Sequence, residues 1–176
     1  MVYGLAFPSL KGNMIRIIIL LALLTLLIFC SPKDSYVPPD MIYLFASYDV
    51  GKNPTAIKTG DFNHDGFSDL VTSNIATNSL SLLFGNGDGS FQPQVSIRVC
   101  KEPRNLVVND FNKDKHEDFI IACSGSDQVV VYLGQGDGNF KKFSQYHVNR
   151  IPVSIATGDF NNDQELDIVV ALRNDK

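Results

Sequence analysis

The sequence predicts an all-β protein built from repeated antiparallel units, and three observations carry this prediction. An acidic phrase occurs three times, as GDFNHDGFSDLV, NDFNKDKHEDFI and GDFNNDQELDIV. The first aspartates of the phrases, and the prolines seven residues upstream of each, recur at a spacing of 49 residues. Short runs of β-branched and apolar residues bounded by Gly, Asn and Asp follow each phrase, which is typical of strands. A fixed period of this length indicates one supersecondary module per repeat.

The first complete unit shows the predicted order of elements. A first strand begins at Pro54, runs through Ile57 and leads into the acidic loop, and a second apolar run starts at Leu70. A polar turn separates that run from a third strand, Leu80–Phe84. The glycine-rich turn GNGDGSF comes next, and its Asp-Gly pair is expected to supply the positive φ angles of a tight hairpin. A more polar fourth strand, Gln94–Cys100, closes the unit.

Four antiparallel strands in about 49 residues is the size of one β-propeller blade. The predicted units lie near residues 52–100, 101–149 and 150–176, within a repeat region at 36–176. Met41–Val50 occupies the place of a fourth strand from a preceding blade. We therefore expect an incomplete β-propeller with two full blades and parts of two others. Because propellers close with four to eight blades, a fragment of a longer protein is also expected.

Residues 1–35 differ from the rest of the chain. Ile17–Cys30 has no charged residue, follows the basic residues Lys11 and Arg16, and precedes a polar segment with a proline. This arrangement is typical of a secretory signal, and two interpretations remain open: a cleaved signal peptide or an uncleaved signal anchor. Either one predicts that the repeats are secreted or face the outside of the membrane, with membrane contact only through the N-terminal segment.

Two cysteines lie in the repeat region, Cys100 and Cys123. They flank the second acidic hairpin, and an oxidising compartment would allow them to pair. Two separate buried thiols are an equal alternative, because sequence does not show whether the geometry of a disulfide is met.

The acidic phrases predict three calcium sites. Oxygen-bearing side chains fall at positions one, three, five and nine of each loop, and a backbone carbonyl at position seven can fill a gap. The predicted ligands are Asp61, Asn63, Asp65, Phe67 and Asp69 in the first loop, Asp110, Asn112, Asp114, His116 and Asp118 in the second, and Asp159, Asn161, Asp163, Glu165 and Asp167 in the third. Ca²⁺ prefers six to eight hard oxygen ligands, whereas soft metals prefer Cys or His.

The calcium loop of an EF-hand is a rival interpretation that fails at one position. That loop ends in a glutamate at position twelve between two helices, but position twelve here is Thr72, Ile121 or Val170, within predicted strands.

The three sites are not expected to bind Ca²⁺ equally. Position six turns sharply, and only the first loop has glycine there; Lys115 and Gln164 take its place in the other loops. The second loop also carries Lys113 and His116, which would repel a divalent ion. The predicted order of affinity is therefore first, third, second.

These residues together resemble a known family. The pattern PTAIKTGDFNHDGFSDLV, followed by SLLFGNGDGSF, is similar to the FG-GAP or VCBS-type repeat of integrin alpha-subunit propellers and of many extracellular proteins. Phe84-Gly85 matches the name-giving dipeptide, whereas the next unit has Leu133-Gly134. The resemblance implies a seven-bladed ring with Ca²⁺ in strand-connecting loops, and an adhesion or binding role toward a protein or glycan ligand.

Composition bears on the other function classes. The net charge is −4, and nine of the nineteen acidic residues are the aspartates at positions one, five and nine of the three loops, which argues against nucleic acid as a partner. A repeated carboxylate set favours a structural role in each copy over a single catalytic pair, so no enzymatic activity is expected. The alternative is that the chain belongs to a larger secreted or surface protein whose catalytic domain lies outside it.

Overall fold

A computed structural model describes residues 2–4 and 46–173 of the chain. Within these ranges every regular element is a β-strand. The predicted signal segment at 1–35 falls outside the described residues except for residues 2–4, and among the described residues no helix is long and apolar enough to cross a membrane. The strands are β1 Val2–Gly4, β2 Ala46–Tyr48, β3 Pro54–Gly60, β4 Asp69–Asn74, β5 Ser79–Leu83, β6 Val95–Arg98, β7 Pro103–Asn109, β8 Asp118–Cys123, β9 Gln128–Gly134, β10 Phe140–His147, β11 Ile151–Gly158 and β12 Asp167–Arg173.

The strands form four antiparallel sheets, and consecutive strands pair in each. Strands β3 to β6 form one four-stranded sheet, β7 to β10 form a second, and β1–β2 and β11–β12 form two-stranded sheets. The predicted order of strands within a unit is confirmed. We call the units that begin with β3, β7 and β11 the first, second and third units. The strand β1 was not predicted, because it lies in the segment assigned to the signal.

Each acidic loop closes the hairpin between the first two strands of its unit. The register pairs Gly60 with Asp69, Asn109 with Asp118, and Gly158 with Asp167. Each first strand also has a register shift just after its proline, between Pro54 and Ala56 in the first unit and at the equivalent places in the others. A bulge of this kind bends the strand and increases its twist, and it recurs with the period of the sequence.

The second unit is buried on both sides. One core cluster joins the first and second units through Leu80, Leu82 and Ile121, among others. The opposite cluster joins the second and third units through Ile120 and Ile155. Every residue of β8 is consequently buried, which explains why that strand is a continuous apolar run and not an alternating one.

The second residue of the first acidic loop fills the boundary between the first two units. The Phe62 side chain is 2% exposed and meets the rings of Phe119 and Phe140 at centroid distances of 5.2 and 6.0 Å. The Phe62 carbonyl accepts a hydrogen bond from the Gly138 amide of the second unit at 2.9 Å. The first loop is therefore anchored in the neighbouring unit as well as in its own.

The third unit exposes the apolar face that the second unit buries. Phe160, at the position of Phe62, is 58% exposed, and Val169 is 48% exposed although its equivalent Ile120 is buried. The outer face of β12 thus has the composition of a core face without, among the described residues, a neighbouring sheet to cover it.

Cys100 and Cys123 form a disulfide, which decides between the two alternatives left open by the sequence. Cys100 follows β6 and Cys123 ends β8, with their Cα atoms 5.8 Å apart. The bond links the connection between the first and second units to the end of β8, an inner strand of the second sheet. Gly51 and Asn74 occupy the equivalent places in the first unit, where the backbone of Gly51 packs directly against the Asn74 side chain. The disulfide is thus an addition made to one unit of the repeat.

Removal of the disulfide is expected to lower the free energy of unfolding by about 3 kcal/mol. The bond closes a loop with a sequence separation of 23 residues, and the estimate is the chain entropy that such a loop loses. Urea denaturation of the double variant Cys100→Ser/Cys123→Ser, compared with the parent protein with and without reductant, measures this. Equal midpoints for the reduced and oxidised parent would contradict a structural role for the bond.

Substitution of the two equivalent phenylalanines is expected to have unequal effects. Phe62→Ala removes a ring buried between two units and should destabilise the protein by about 3–5 kcal/mol. Phe160→Ala removes a mostly exposed ring in the same sequence context and should change the stability by less than about 0.5 kcal/mol. Chemical denaturation of both variants measures the difference, and equal effects would show that the two loops have the same surroundings.

Candidate calcium loops

The three acidic loops fold in the same way and are held by their own side chains. In the first loop, 61–69, Asp61 Oδ1 accepts a hydrogen bond from the Asp65 amide at 3.1 Å and Asp61 Oδ2 accepts one from the Gly66 amide at 3.0 Å. Asp65 Oδ1 accepts from the Phe67 amide at 2.8 Å. The same three bonds recur in the second loop, 110–118, and in the third, 159–167. The repeated sequence therefore produces a repeated loop geometry.

The asparagine at position three binds the aspartate at position five of the first loop through both its amide oxygen and its amide nitrogen. Asn63 Oδ1 accepts from the Asp65 amide at 3.2 Å, and Asn63 Nδ2 donates to Asp65 Oδ2 at 2.8 Å. The same pairs form in the other two loops. Positions one, three and five are thus brought together in every loop, as the sequence predicts.

Two positions in each loop have left-handed backbone conformations. The predicted one is position six, where φ is 84° at Gly66, 74° at Lys115 and 69° at Gln164. Position four is the other, with φ values of 57° at His64 and 63° at Lys113. Position four was not predicted, because no glycine occurs there in any loop. Left-handed residues other than glycine cost about 1 kcal/mol each, so the hydrogen bonds of the loop must offset that strain.

The prediction of positive φ angles in the glycine-rich turns is correct only in part. In the turn after β5 the residues with positive φ are Gly87, at 78°, and Gly89, at 88°. The aspartate between them, Asp88, instead caps the turn by accepting hydrogen bonds from the amide and hydroxyl of Ser90. The prediction that the Asp-Gly pair supplies the positive angles is therefore right for the glycine and wrong for the aspartate.

The aspartate at position nine has a role that the sequence did not reveal. Asp69 is fully buried, and its two carboxylate oxygens accept hydrogen bonds from the Phe62 amide at 2.9 Å and the Gly85 amide at 2.8 Å. Asp118 does the same with the amides of Phe111 and Gly134. The residue therefore fastens the loop to the end of the third strand. A faint signal was present, since Gly85 and Gly134 recur at one spacing.

The carboxylates of the first loop, and those of the second, are close enough to repel one another. Burial raises the pKa of Asp69, the two backbone hydrogen bonds oppose this effect, and the charges of Asp65 and Asp61 raise the pKa further. Asp118 shows the same pattern with Asp114 and Asp110. A bound cation would relieve this repulsion, which is one reason to place an ion here.

The donor chemistry of the loops fits Ca²⁺, with one qualification from the geometry. The predicted ligand atoms of each loop are carboxylate, amide and backbone oxygens, the ligands that Ca²⁺ prefers. Within residues 2–4 and 46–173, however, no three carboxylate, imidazole or thiol side chains already surround one point as ligands of a metal ion. Binding would therefore require side chains of the loop to move closer together. The backbone carbonyls at position seven stay predicted ligands.

The cationic residues of the second loop turn toward neighbouring loops. Lys113 Nζ pairs with Glu165 Oε1 of the third loop at 2.5 Å, and both side chains are largely exposed. The His116 ring meets the His64 ring of the first loop, with Nδ1 and Nε2 3.0 Å apart. Lys113 is thus partly neutralised by a partner in the next unit, which weakens the repulsion expected from it.

Comparisons with known proteins agree with the repeat. The FG-GAP-like repeat model matches residues 61–121 and again residues 110–170. Among solved structures the chain is similar to one titled "Crystal structure of BBS1N in complex with ARL6DN, soaked with lead", with 16% sequence identity and a TM-score of 0.49. That similarity covers 71% of this chain and 34% of the other. No match was found among curated proteins.

Replacement of the position-nine aspartates by asparagine is expected to have unequal effects. Asp69→Asn should destabilise the protein by about 2–3 kcal/mol, because an amide nitrogen would then face one of the two backbone donors inside the core. Asp167→Asn is the matched control, since Asp167 is less buried and accepts a bond only from Phe160. Urea denaturation in chelator, which excludes any contribution from a metal, measures both variants. Similar losses of stability in the two variants would show that the two buried hydrogen bonds of Asp69 add no more stability than the single bond of Asp167.

Proposed function

The chain belongs to the FG-GAP-like repeat family, and on that premise we propose that it is an extracellular, non-catalytic scaffold whose acidic loops bind Ca²⁺. The ion supports repeat blades of the propeller type, which present a binding surface to a protein or glycan ligand. Repeat scaffolds of this family are typically non-catalytic, which agrees with one carboxylate arrangement being present in every unit.

The observation that carries the calcium proposal is the threefold loop geometry. The same oxygen atoms at positions one, three and five accept the same backbone amides in all three loops, although the intervening residues differ. In the first loop these intervening residues are His64 and Gly66, and in the second they are Lys113 and Lys115. Selection for one oxygen arrangement in spite of such changes favours a hard cation over a solvated acidic turn.

The proposed role of the ion is structural. The carboxylates at positions one, five and nine repel one another, and Ca²⁺ would neutralise them while holding the first and second strands of the unit together. The loops already have their turn bonds without an ion, so binding is expected to stabilise a formed hairpin and not to trigger a large rearrangement.

The packing of the sheets supports the propeller part of the proposal. The first strands of successive units lie side by side, β3 against β7 and β7 against β11. Thr55 Oγ1 donates to the Pro103 carbonyl at 3.3 Å across the first of these contacts. In a β-propeller, the blades are arranged around a central channel, and sheets that meet through their first strands have the same arrangement. The exposed face of β12 suits a further unit, which favours the alternative that this chain is part of a larger assembly.

The disulfide supports the proposed location. Structural disulfides persist in the secretory lumen and outside the cell and are rare in the cytosol. The bond between Cys100 and Cys123 is therefore expected in a protein that is secreted or held on the outer face of a membrane.

Calcium titration tests the proposal directly. Ca²⁺ should raise the melting temperature of the chelated protein, and Mg²⁺ at the same concentration should raise it less, because Mg²⁺ retains its own water. Calorimetry on Asp61→Asn, Asp110→Asn and Asp159→Asn should show the largest loss of affinity in the first loop, then in the third, then in the second. A protein that binds no Ca²⁺ and melts at the same temperature in chelator would refute the proposal.

A further inference from the structure

The third unit has an open face that repeats the surface by which the first unit contacts the second. In the first unit the ring of Phe62 packs on Phe119 and Phe140 of the second unit, and the Phe62 carbonyl accepts a hydrogen bond from the Gly138 amide. Phe160 occupies the same place in the third unit, but its ring is 58% exposed. One half of a contact between units is therefore present in the third unit without the other half.

The first unit carries the other half of that contact, and it is open as well. The residues one period before the three partners of Phe62 are Leu70, Gly89 and Phe91. Gly89 has nearly the φ angle of Gly138, 88° against 81°, and no described residue accepts a hydrogen bond from its amide. Ile57, on the same face, is 49% exposed, although its equivalent Leu106 is fully buried against the first unit. The two open faces therefore match each other.

The two incomplete sheets also match. Tyr48 of β2 packs edge-on against Phe91 at 5.4 Å, and its hydroxyl accepts a hydrogen bond from the Phe91 amide at 3.1 Å. One period later, Ile97 of β6 and Phe140 both pack against the core of the first two units. The strand β2 is thus in the place of the fourth strand of a preceding blade, and β1 pairs with it antiparallel as a third strand does. The sheet β11–β12 has the first and second strands of a blade.

One copy of the chain cannot join these matching parts to each other. Its two four-stranded sheets and one completed blade would make a ring of three, whereas propellers close with four to eight blades. Two copies joined head to tail would have four complete units and two shared blades, and the resulting six blades lie within that range. Three copies would have nine blades, which is too many.

We propose that a second copy of this chain covers the open face of the third unit, and that two chains close head to tail into a six-bladed ring. In each shared blade β11 and β12 come from one copy and β1 and β2 from the other, so residues 2–4 stay in the chain. The ring of Phe160 packs on Leu70 and Phe91 of the second copy, and its carbonyl accepts from the Gly89 amide. This continues the interface that joins the first two units.

The inference rests on the propeller arrangement in the proposed function and does not require Ca²⁺. It also accounts for apolar exposure at both ends of the array, because the same contact buries Ile57 of one copy and Phe160 of the other. Exposed apolar faces and free strand edges invite association, and closure of a ring removes both.

Sedimentation equilibrium of the full chain tests the assembly, in chelator and in the same detergent for all variants. The parent chain should have the mass of two chains. Phe160→Asp and Ile57→Asp each place a charge in the proposed interface, at opposite ends of the array. Each should raise the dissociation constant of the dimer at least about thirtyfold, the effect of losing one hot-spot side chain. The small effect on stability expected above for Phe160→Ala applies to the dissociated chain.

Val95→Asp is the matched control. Val95 is 46% exposed, close to the value for Ile57, but its strand partner Leu82 faces the second unit of the same chain. This substitution should leave the dissociation constant unchanged. Melting followed by circular dichroism in chelator shows whether each variant is folded, and all three variants should melt cooperatively.

The pair of aspartate variants separates the proposed ring from other assemblies. A dimer that packs third unit on third unit would be lost in Phe160→Asp and kept in Ile57→Asp, and an association through the apolar segment 17–30 would survive both substitutions. Either result overturns the inference, as does a filament or any other assembly of more than two chains. A monomeric parent that binds Ca²⁺ overturns the inference and leaves the calcium function standing. A dimer that passes both tests but binds no Ca²⁺ supports the inference and refutes the calcium function.

Discussion

The architecture depends on one interaction that the first two units share, the buried carboxylate at position nine of the acidic loop. In the first unit Asp69 accepts hydrogen bonds from the amides of Phe62 and Gly85, and so joins the two ends of the loop and fixes it to the end of the third strand. Two bonds to an ionised acceptor inside a core are strong, but they also remove the carboxylate from water. The aspartate is thus both the residue that shapes the hairpin and the residue whose charge most needs a counter-ion.

Features that depend on residues close together in the sequence could be predicted, whereas contacts between distant residues could not. The 49-residue period and the strand order follow from apolar patterning and turn chemistry, which are local properties of the chain. The loop geometry at positions one, three and five is local as well, since those side chains bond to amides at most five residues away. The contacts of Asp69 with Gly85 and of Glu117 with Gly60 join distant residues. The recurrence of Gly85 and Gly134 is only a faint signal of the first contact, and no spacing rule reveals the second.

The units have similar sequences, but the contacts at the two boundaries between them differ. Position two of the loop is a buried phenylalanine, Phe62, in the first unit and an exposed one, Phe160, in the third. These identical residues are therefore expected to contribute differently to stability. One boundary is crosslinked by a disulfide and lined by the Glu117 carboxylate, whereas the other has an exposed ion pair. In repeat proteins, stability is roughly a sum of unit terms and nearest-neighbour terms. Here the loop geometry within each unit is similar, whereas the contacts between neighbouring units differ.

If Ca²⁺ binds to the first loop as proposed, it would stabilise the contact with the second unit as well as its own hairpin. An ion held only by residues 61–69 would stabilise one hairpin, and its effect would end at the edge of the first sheet. The first loop, however, is seated on the second unit through the ring of Phe62 and the bond from Gly138 to its carbonyl. Any stiffening of that loop is therefore transmitted to the core that the two units share. In an array of such units, each ion bound at a boundary as proposed would add to the cohesion of the array.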